Sequence, residues 1–347
     1  RLRTERQMAM RQLKWLLVGA GNIARLRVGA ALVEARESEL CAICDLDRER
    51  AESLARDLGI TPRVFTDYSQ ALAESGCEAV YIATQVTSHV DLCIGAAKAG
   101  KHFLVEKPLT LSGEDAVGLA QAVADLPVQT SCSDYRRLSE QYRTTERLIR
   151  EGAIGELTGG WMNWTFGNQV SIGNTRLERA IGGSPLKTLA FYIIDMVHNL
   201  FGPPESVFAK TCCTLNPATD TEDLSSVILS FANGAIFSLQ VVFNPTVRHH
   251  ELEFYGRTGS IYLENWPPRG NGPVLLRRAG GQPESIDVKT DPNYHKPMVE
   301  DFIRAVREGH EPVCSLASAV KTELITDAIF RSADSGKLEL VDYQGML

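Results

Sequence analysis

Between Lys14 and Cys132 short apolar runs alternate with longer amphipathic stretches. The runs are Trp15–Val18, Leu40–Cys44, Ala79–Ala83, His102–Val105 and Val128–Cys132, continuously apolar rather than alternating. Strands of that kind suit a parallel sheet covered by helices on both faces. Segments between them, such as Asp47–Leu58 and His89–Ala99, carry apolar residues at helical spacing. The repetition predicts a doubly wound α/β domain over residues 13–132.

After Cys132 the texture changes. Ser139–Glu151 reads as a helix ended by Gly152, and Ser184–Leu200 as another ended by Gly202. Two alternating runs follow, Leu224–Phe231 and Ile236–Phe243, joined by Ala232-Asn233-Gly234-Ala235, and Asn-Gly between such runs is a hairpin signal. Leu252–Tyr255 and Ser260–Leu263 around Gly256-Arg257-Thr258-Gly259 predict a second hairpin. Residues 133–347 are therefore expected to form an α+β domain, a mostly antiparallel open sheet with helices on one face. Phe237, Leu239, Val241 and Phe243 alternate along one strand, so either those helices or a partner subunit must cover them.

Composition narrows the class. A chain of 347 residues is long for one small core, which favours two domains. Its net charge of -7 argues against general nucleic-acid binding. No apolar run approaches the roughly 20 residues of a bilayer span. Arg1 to Met10 is basic and polar and does not read as a secretory signal; Met8 or Met10 fits a natural start, with the arm outside the fold. Most of the eight cysteines sit in apolar runs, where a free thiol behaves as a small hydrophobe, and a reducing cytoplasm is expected. Cys41 and Cys44 resemble a C-x-x-C, but on a strand they point to opposite faces, so no metal is expected there. His249-His250 likewise lacks chelating partners at recognisable spacing. No G-x-S-x-G elbow is present, which removes the usual hydrolase reading.

Trp15–Val18 runs straight into Gly19-Ala20-Gly21-Asn22-Ile23-Ala24, a G-x-G-x-x-A dinucleotide fingerprint between strand and helix. Gly19 allows the tight turn, Gly21 lets the backbone approach a pyrophosphate, and Ala24 lets the helix pack close. Asn22 and Ile23 complete the loop at the helix start, where N–H groups face an anion. The next strand ends in Asp45, 24 positions after Gly21, where a carboxylate would accept hydrogen bonds from an adenosine ribose. The same carboxylate repels a 2′-phosphate, so NAD is favoured over NADP, with Arg48 three residues on as a moderating cation. These features predict a Rossmann domain; the alternative for Asp45 is a solvated carboxylate opening the next helix.

His102–Val105 ends in Glu106-Lys107-Pro108, a charged pair at the carboxyl end of a parallel strand, where ligands bind in such sheets. Together with the glycine motif stand Ala83-Thr84-Gln85-Val86-Thr87-Ser88-His89, Ala99-Gly100-Lys101-His102-Phe103-Leu104-Val105-Glu106-Lys107-Pro108-Leu109, Tyr135-Arg136-Arg137, Gly182-Gly183, Asp195 and Tyr255-Gly256-Arg257-Thr258-Gly259-Ser260. On these residues the chain, from about Lys14 onward, resembles the glucose–fructose oxidoreductase / inositol dehydrogenase / MocA family. Glu-Lys-Pro in that frame is the specific element. The resemblance implies that Lys107 lies beside the nicotinamide and the reacting carbon, where an ammonium stabilises charge on the substrate oxygen. It also implies that Thr84, His89 and Glu106 belong to the cofactor site, although for His89 a structural role stays open.

The family's helix commonly reads G-G-G, an Asp, a His four residues on and an Asp three further. Here Gly182-Gly183-Ser184 aligns with the glycines, which puts Thr188 at the first Asp, Tyr192 at the His and Asp195 at the last Asp. A Tyr at this position has precedent in sugar- and diol-oxidising branches, and a nearby cation, with Lys107 the candidate, lowers the pKa of a phenol. In the functional reading Tyr192 is the acid/base, Lys107 assists it, Thr188 hydrogen-bonds substrate, and Asp195 orients the helix face or the substrate. In the other, Thr188 and Tyr192 are packing residues and catalysis is altered. His198 falls outside the motif and reads as a helix C-terminal residue. Arg136 or Arg137 is expected to face the substrate pocket or to bind a carboxylate within the fold.

The resemblance implies hydride transfer between a nicotinamide and a secondary alcohol or ketone of a sugar, polyol or related metabolite. A redox-neutral sugar enzyme of epimerase or glycosidase type, and a non-catalytic NAD-binding sensor, stay open as alternatives. Phe166–Arg179, in the expected pocket loops, carries no readable specificity code. A homodimer or homotetramer through the second-domain sheet is expected.

Overall fold

The computed structural model describes residues 11–166, 178–214, 220–243, 248–264, 272–289 and 291–345. The arm Arg1 to Met10, and residues 167–177 of the Phe166–Arg179 stretch, lie outside the described residues.

The chain opens with β1 (Leu13–Val18), then a π-helical turn, Ala24–Val28, running into α1 (Gly29–Glu34). β2 (Ser38–Cys44), α2 (Arg48–Asp57), β3 (Arg63–Phe65), α3 (Tyr68–Glu74) and β4 (Ala79–Ile82) follow. Next come α4 (His89–Lys98), β5 (His102–Val105), α5 (Gly113–Val123), β6 (Thr130–Cys132) and α6 (Glu140–Arg150). The second half contains β7 (Leu157–Thr165), a π-helical turn Leu186–Ala190, α7 (Phe191–Phe201) and β8 (Ser206–Cys212). β9 (Leu224–Ser230), β10 (Ile236–Val242), β11 (His249–Gly256) and β12 (Gly259–Glu264) come next. β13 (Val274–Arg278), β14 (Glu284–Ile286), α8 (Lys296–Glu308), α9 (Leu316–Ser335) and β15 (Glu339–Leu340) complete it.

Six strands form the first sheet in the order β3-β2-β1-β4-β5-β6, with every pair parallel. That is the Rossmann order, and its reversal between β1 and β4 marks the crevice where ligands bind. The five predicted runs appear with ends shifted by up to two residues. β3 is additional, a three-residue strand whose first residue, Arg63, is exposed. α2 begins at Asp47, whose carboxylate accepts the Glu49 and Arg50 amides. α6 begins at Ser139, which accepts the Tyr142 amide.

Two compact units divide the chain, and neither is a single stretch. The first holds residues up to Glu106, Leu119–Tyr135 and Asn293–Leu316; the second holds Lys107–Gly118, Arg136–Pro292 and Ala317–Leu347. The return of residues 293–316 follows from the apolar face of α8. Met298, Val299, Phe302 and Ile303 are buried, and the Phe302 ring lies 5.4 Å from that of Trp15 on β1. Burying each such side chain is worth about 1.5–3 kcal/mol. A single cut near residue 132 does not capture this exchange.

The second unit is built on nine strands in the order β14-β13-β12-β11-β7-β10-β9-β8-β15, antiparallel except for β7 with β10. Both predicted hairpins form: β9–β10 turns at Gly234, whose φ is +81°, and β11–β12 turns at Arg257-Thr258. Phe237, Leu239, Val241 and Phe243 are buried, and Phe201 of α7 packs edge-on to Phe237 at 6.1 Å. Helices of the same unit, not a partner, cover that face. The opposite face exposes Phe208, Ile228 and Ile236. The predicted helix Ser184–Leu200 is not uniform, since its first part is the π turn and only Phe191–Phe201 is α-helical. Among the described residues no helix is long and apolar enough to cross a membrane.

Candidate active site

In the first unit the glycine loop is shaped by close contact. Gly19 has φ +94°, and a Cβ there would lie 2.6 Å from the Ala83 carbonyl oxygen, so no larger residue fits. At Gly21 an added Cβ meets nothing within 4 Å, which leaves the backbone open to a ligand. Ala24 is fully buried, and the Arg25 amide donates to the Gly21 carbonyl at 3.1 Å. Asp45 does not cap the next helix, which Asp47 does. Its carboxylate braces the loop instead, accepting from the Ala20 amide at 2.7 Å and the Asp47 amide at 2.9 Å. Arg48 lies 3.8 Å from Glu52 on its own helix. A tight turn, an open glycine face and a carboxylate at the end of β2 fit a dinucleotide.

Thr84 follows β4, and its hydroxyl pairs with that of Ser88 at 2.8 Å. His89 is buried, with Nε2 3.3 Å from the Thr84 carbonyl, so it ties the start of α4 to the strand end. Glu106 is also buried. Its Oε1 accepts from the Tyr81 hydroxyl at 2.8 Å and lies 3.2 Å from His295 Nε2. Burial, then the charge of Glu106, pushes the Tyr81 hydroxyl well above its ordinary pKa, so it stays a donor. Tyr135 packs on the His295 ring at 4.3 Å. Tyr81 and His295 have no spacing signal in the sequence, since His295 stands 189 residues from its partner.

In the second unit Lys107 heads the segment after β5, and the Lys107–Pro108 peptide is cis. Its Nζ donates to the Thr188 carbonyl at 3.0 Å and lies 5.0 Å from the centre of the Tyr192 ring. The Arg136 guanidinium lies 4.3 Å from the same ring and 5.0 Å from that of Trp164. Two cations therefore flank Tyr192, itself buried on α7. The π turn is anchored below: buried Lys187 pairs with Glu323 at 2.6 Å, and Glu323 accepts the Leu109 and Thr110 amides at 2.9 and 3.4 Å. Burial pushes the Glu323 carboxyl up, against the pull of Lys187. Both sides of the Lys107–Thr188 contact are thus tied to one buried ion pair.

Three of the expected residues have partners within the fold. The Thr188 hydroxyl donates to the Ser184 carbonyl at 2.5 Å, so its proton is not offered to a substrate; its carbonyl holds Lys107 instead. Asp195 is only 2% exposed and faces inward. Ser318 donates to it at 2.6 Å and Thr322 at 3.2 Å, with Arg137 at 3.6 Å and His198 at 3.5 Å. Burial alone would raise the Asp195 carboxyl, but Arg137, His198 and Ser318 outweigh it and hold it well below the usual range. The carboxylate is enclosed by partners on its own helix, on α9 and on the segment before α6. His198, in the last turn of α7, is an inner partner of Thr322 at 3.1 Å. The two arginines separate cleanly: Arg137 meets the carboxylate of the fold, and Arg136 meets Tyr192.

The model of an oxidoreductase family with an NAD-binding Rossmann fold matches residues 13–133, and that of the GFO/IDH/MocA C-terminal domain matches residues 142–262. The chain belongs to the GFO/IDH/MocA oxidoreductase family. It is similar to an uncharacterized oxidoreductase of Rhizobium meliloti, 30% identical over 335 residues that span 94% of this chain and 98% of that one. A D-xylose 1-dehydrogenase (NADP(+)) of Haloferax volcanii is 28% identical, over 88% of this chain and 92% of its own. A levoglucosan dehydrogenase solved in complex with NADH superposes with TM-score 0.84 at 25% identity, covering 96% of this chain and 100% of that one. As a GFO/IDH/MocA member the protein is an oxidoreductase whose N-terminal domain is the family's NAD-binding domain.

Proposed function

We propose that the protein is an NAD-dependent dehydrogenase acting on a secondary alcohol, or on the matching ketone, of a sugar, polyol or related metabolite. The observation that carries this reading is the Tyr192 ring flanked by Lys107 and Arg136. The names of the D-xylose and levoglucosan enzymes support the substrate class. When bound, the nicotinamide supplies the hydride acceptor or donor.

The protein's own groups handle the substrate oxygen and its proton. Lys107, fixed by the Thr188 carbonyl, stabilises negative charge developing on that oxygen. Tyr192 donates its proton in the reducing direction, and its oxygen accepts one in the oxidising direction. Positive charge near a phenol favours negative charge on its oxygen, and Lys107 and Arg136 lie 5.0 and 4.3 Å from the ring centre. Arg136 also lines the substrate site. Thr188 and Asp195 serve as positioning residues, one through its backbone and the other by holding Arg137.

Gly19, Gly21, Asn22 and Ile23 form the cofactor loop, with Thr84, His89 and Glu106 at the neighbouring strand ends. Asp45 favours NAD, because its carboxylate suits a ribose hydroxyl and repels a 2′-phosphate. A reducing cytoplasmic setting fits the burial of Cys44, Cys77, Cys93, Cys132 and Cys314 in the core. The test is NADH formation from NAD, or NADPH formation from NADP, by the wild-type protein over a panel of aldoses, polyols and ketosugars. Turnover favouring NAD is expected. Cofactor binding without turnover of any sugar would overturn the dehydrogenase reading.

A further inference from the structure

On the helix-covered face of the second sheet, Trp164 of β7 and His250 of β11 are register partners. Their rings meet edge to face at 5.6 Å, and the two residues are 1% and 3% exposed. Among the described residues, the indole Nε1 of Trp164 and both ring nitrogens of His250 have no hydrogen-bond partner. A buried polar group left unmade costs about 1–3 kcal/mol. Two phenylalanines would fill the same space without that penalty, so packing alone gives no reason for these residue types. Their location does: the Trp164 ring carries the guanidinium of Arg136, which in turn lies over Tyr192.

The charge state of the imidazole fixes what it offers. Burial first, then Arg248, Arg136 and His249, pushes the His250 pKa down to about 4. A neutral imidazole presents one donor and one acceptor, which is the complement of an alcohol, itself both donor and acceptor. A carboxylate or an ammonium ion would satisfy only one of the two nitrogens.

We propose that His250 is a substrate-contact residue that reads a hydroxyl remote from the reacting carbon, with the Trp164 indole N–H beside it. This rests on the dehydrogenase reading and narrows it. The preferred substrate is a neutral polyhydroxylated ring or chain, and simple secondary alcohols are discriminated against. A site built to pair with a hydroxyl rejects the analogue lacking it, because its own polar groups are then left buried and unpaired.

The experiment compares wild type, His250→Phe, His250→Asn and Trp164→Phe, each NAD-saturated, on D-xylose, D-glucose, levoglucosan and myo-inositol and their monodeoxy analogues. In wild type, removal of one particular hydroxyl lowers kcat/KM about 10- to 100-fold, mainly through KM. His250→Phe brings that ratio close to one, and His250→Asn, which keeps a donor and an acceptor, retains most of it. Without sugar, His250→Phe unfolds at the wild-type temperature or above, since it removes unpaired polar atoms. An active His250→Phe that keeps the wild-type preference at every hydroxyl overturns the inference while leaving the dehydrogenase reading in place. A lowered unfolding temperature with preference intact makes His250 a structural residue and overturns the inference as well. If His250→Phe does not fold, Trp164→Phe decides: a ratio reduced toward one supports the inference, and an unchanged preference at every hydroxyl overturns it. Absence of sugar turnover in wild type overturns the dehydrogenase reading and this inference together.

Discussion

Replacing Asp195 by asparagine keeps the side chain's shape and removes its charge. In the wild-type protein that charge is enclosed by Ser318, Thr322, His198 and Arg137. The side chains of Asp195 and Arg137 are 3% and 11% exposed, so solvent screens the pair weakly. Breaking a buried ion pair by removing one partner costs about 3–5 kcal/mol. In a unit of this size each kcal/mol moves the unfolding midpoint by about 2–4 °C, so Asp195→Asn should lower it by about 6–20 °C. The carboxyl titrates below its ordinary pKa when folded, so its contribution is complete above the unfolded value of about 4 and is lost as pH falls through the folded one. The variant should therefore show a shallower acid limb. Its kcat/KM should fall by a similar factor for every sugar, because the defect lies in the seating of α7. Circular dichroism melts from neutral to acid pH, paired with steady-state kinetics, read all of this. A wild-type melt with KM raised for one sugar would place the carboxylate on substrate and refute the reasoning.

Two further outcomes test other parts of the structure. His250 is held near 4 in the folded protein against about 6.5 unfolded, so the unfolded chain binds the extra proton and stability falls as pH drops between those values. The melting temperature of wild type should decline across that window and that of His250→Phe should decline less; equal slopes would contradict the assignment. The sheet face exposing Phe208, Ile228 and Ile236 should bury against another copy, giving a homodimer or homotetramer by light scattering. Ile228→Lys should shift the protein toward monomer, whereas a monomeric wild type would remove this expectation.

Much of the fold could be read from the chain because it is written locally. Parallel strands buried on both faces are apolar throughout, and the Asn233-Gly234 turn announces its hairpin. The glycine loop was legible for the same reason, since Gly19 and Gly21 answer to contacts within one strand–turn–helix unit. β3 was not, because three residues with an exposed Arg63 make no pattern. α8 crosses to the first unit through its packing on Trp15, a contact that sequence distance hides. Near Tyr192 the local rule failed for a physical reason. Helical spacing placed Thr188 beneath Tyr192, but a π turn occupies Leu186–Ala190, and it is the backbone of Thr188 that reaches Lys107. Tyr81 and His295 around Glu106, and Trp164 and His250 near Arg136, are brought together only by tertiary folding.

The central claim is that Tyr192 and Lys107 manage the proton and charge of the substrate oxygen. The most direct measurement is kcat for wild type, Tyr192→Phe and Lys107→Met on the best sugar found, with NADH binding followed in parallel by fluorescence. General acid–base catalysis contributes about 100- to 10,000-fold, so Tyr192→Phe should lose activity in that range while NADH binding stays near wild type. Lys107→Met should lose at least as much. A Tyr192→Phe enzyme with wild-type kcat would contradict the assignment.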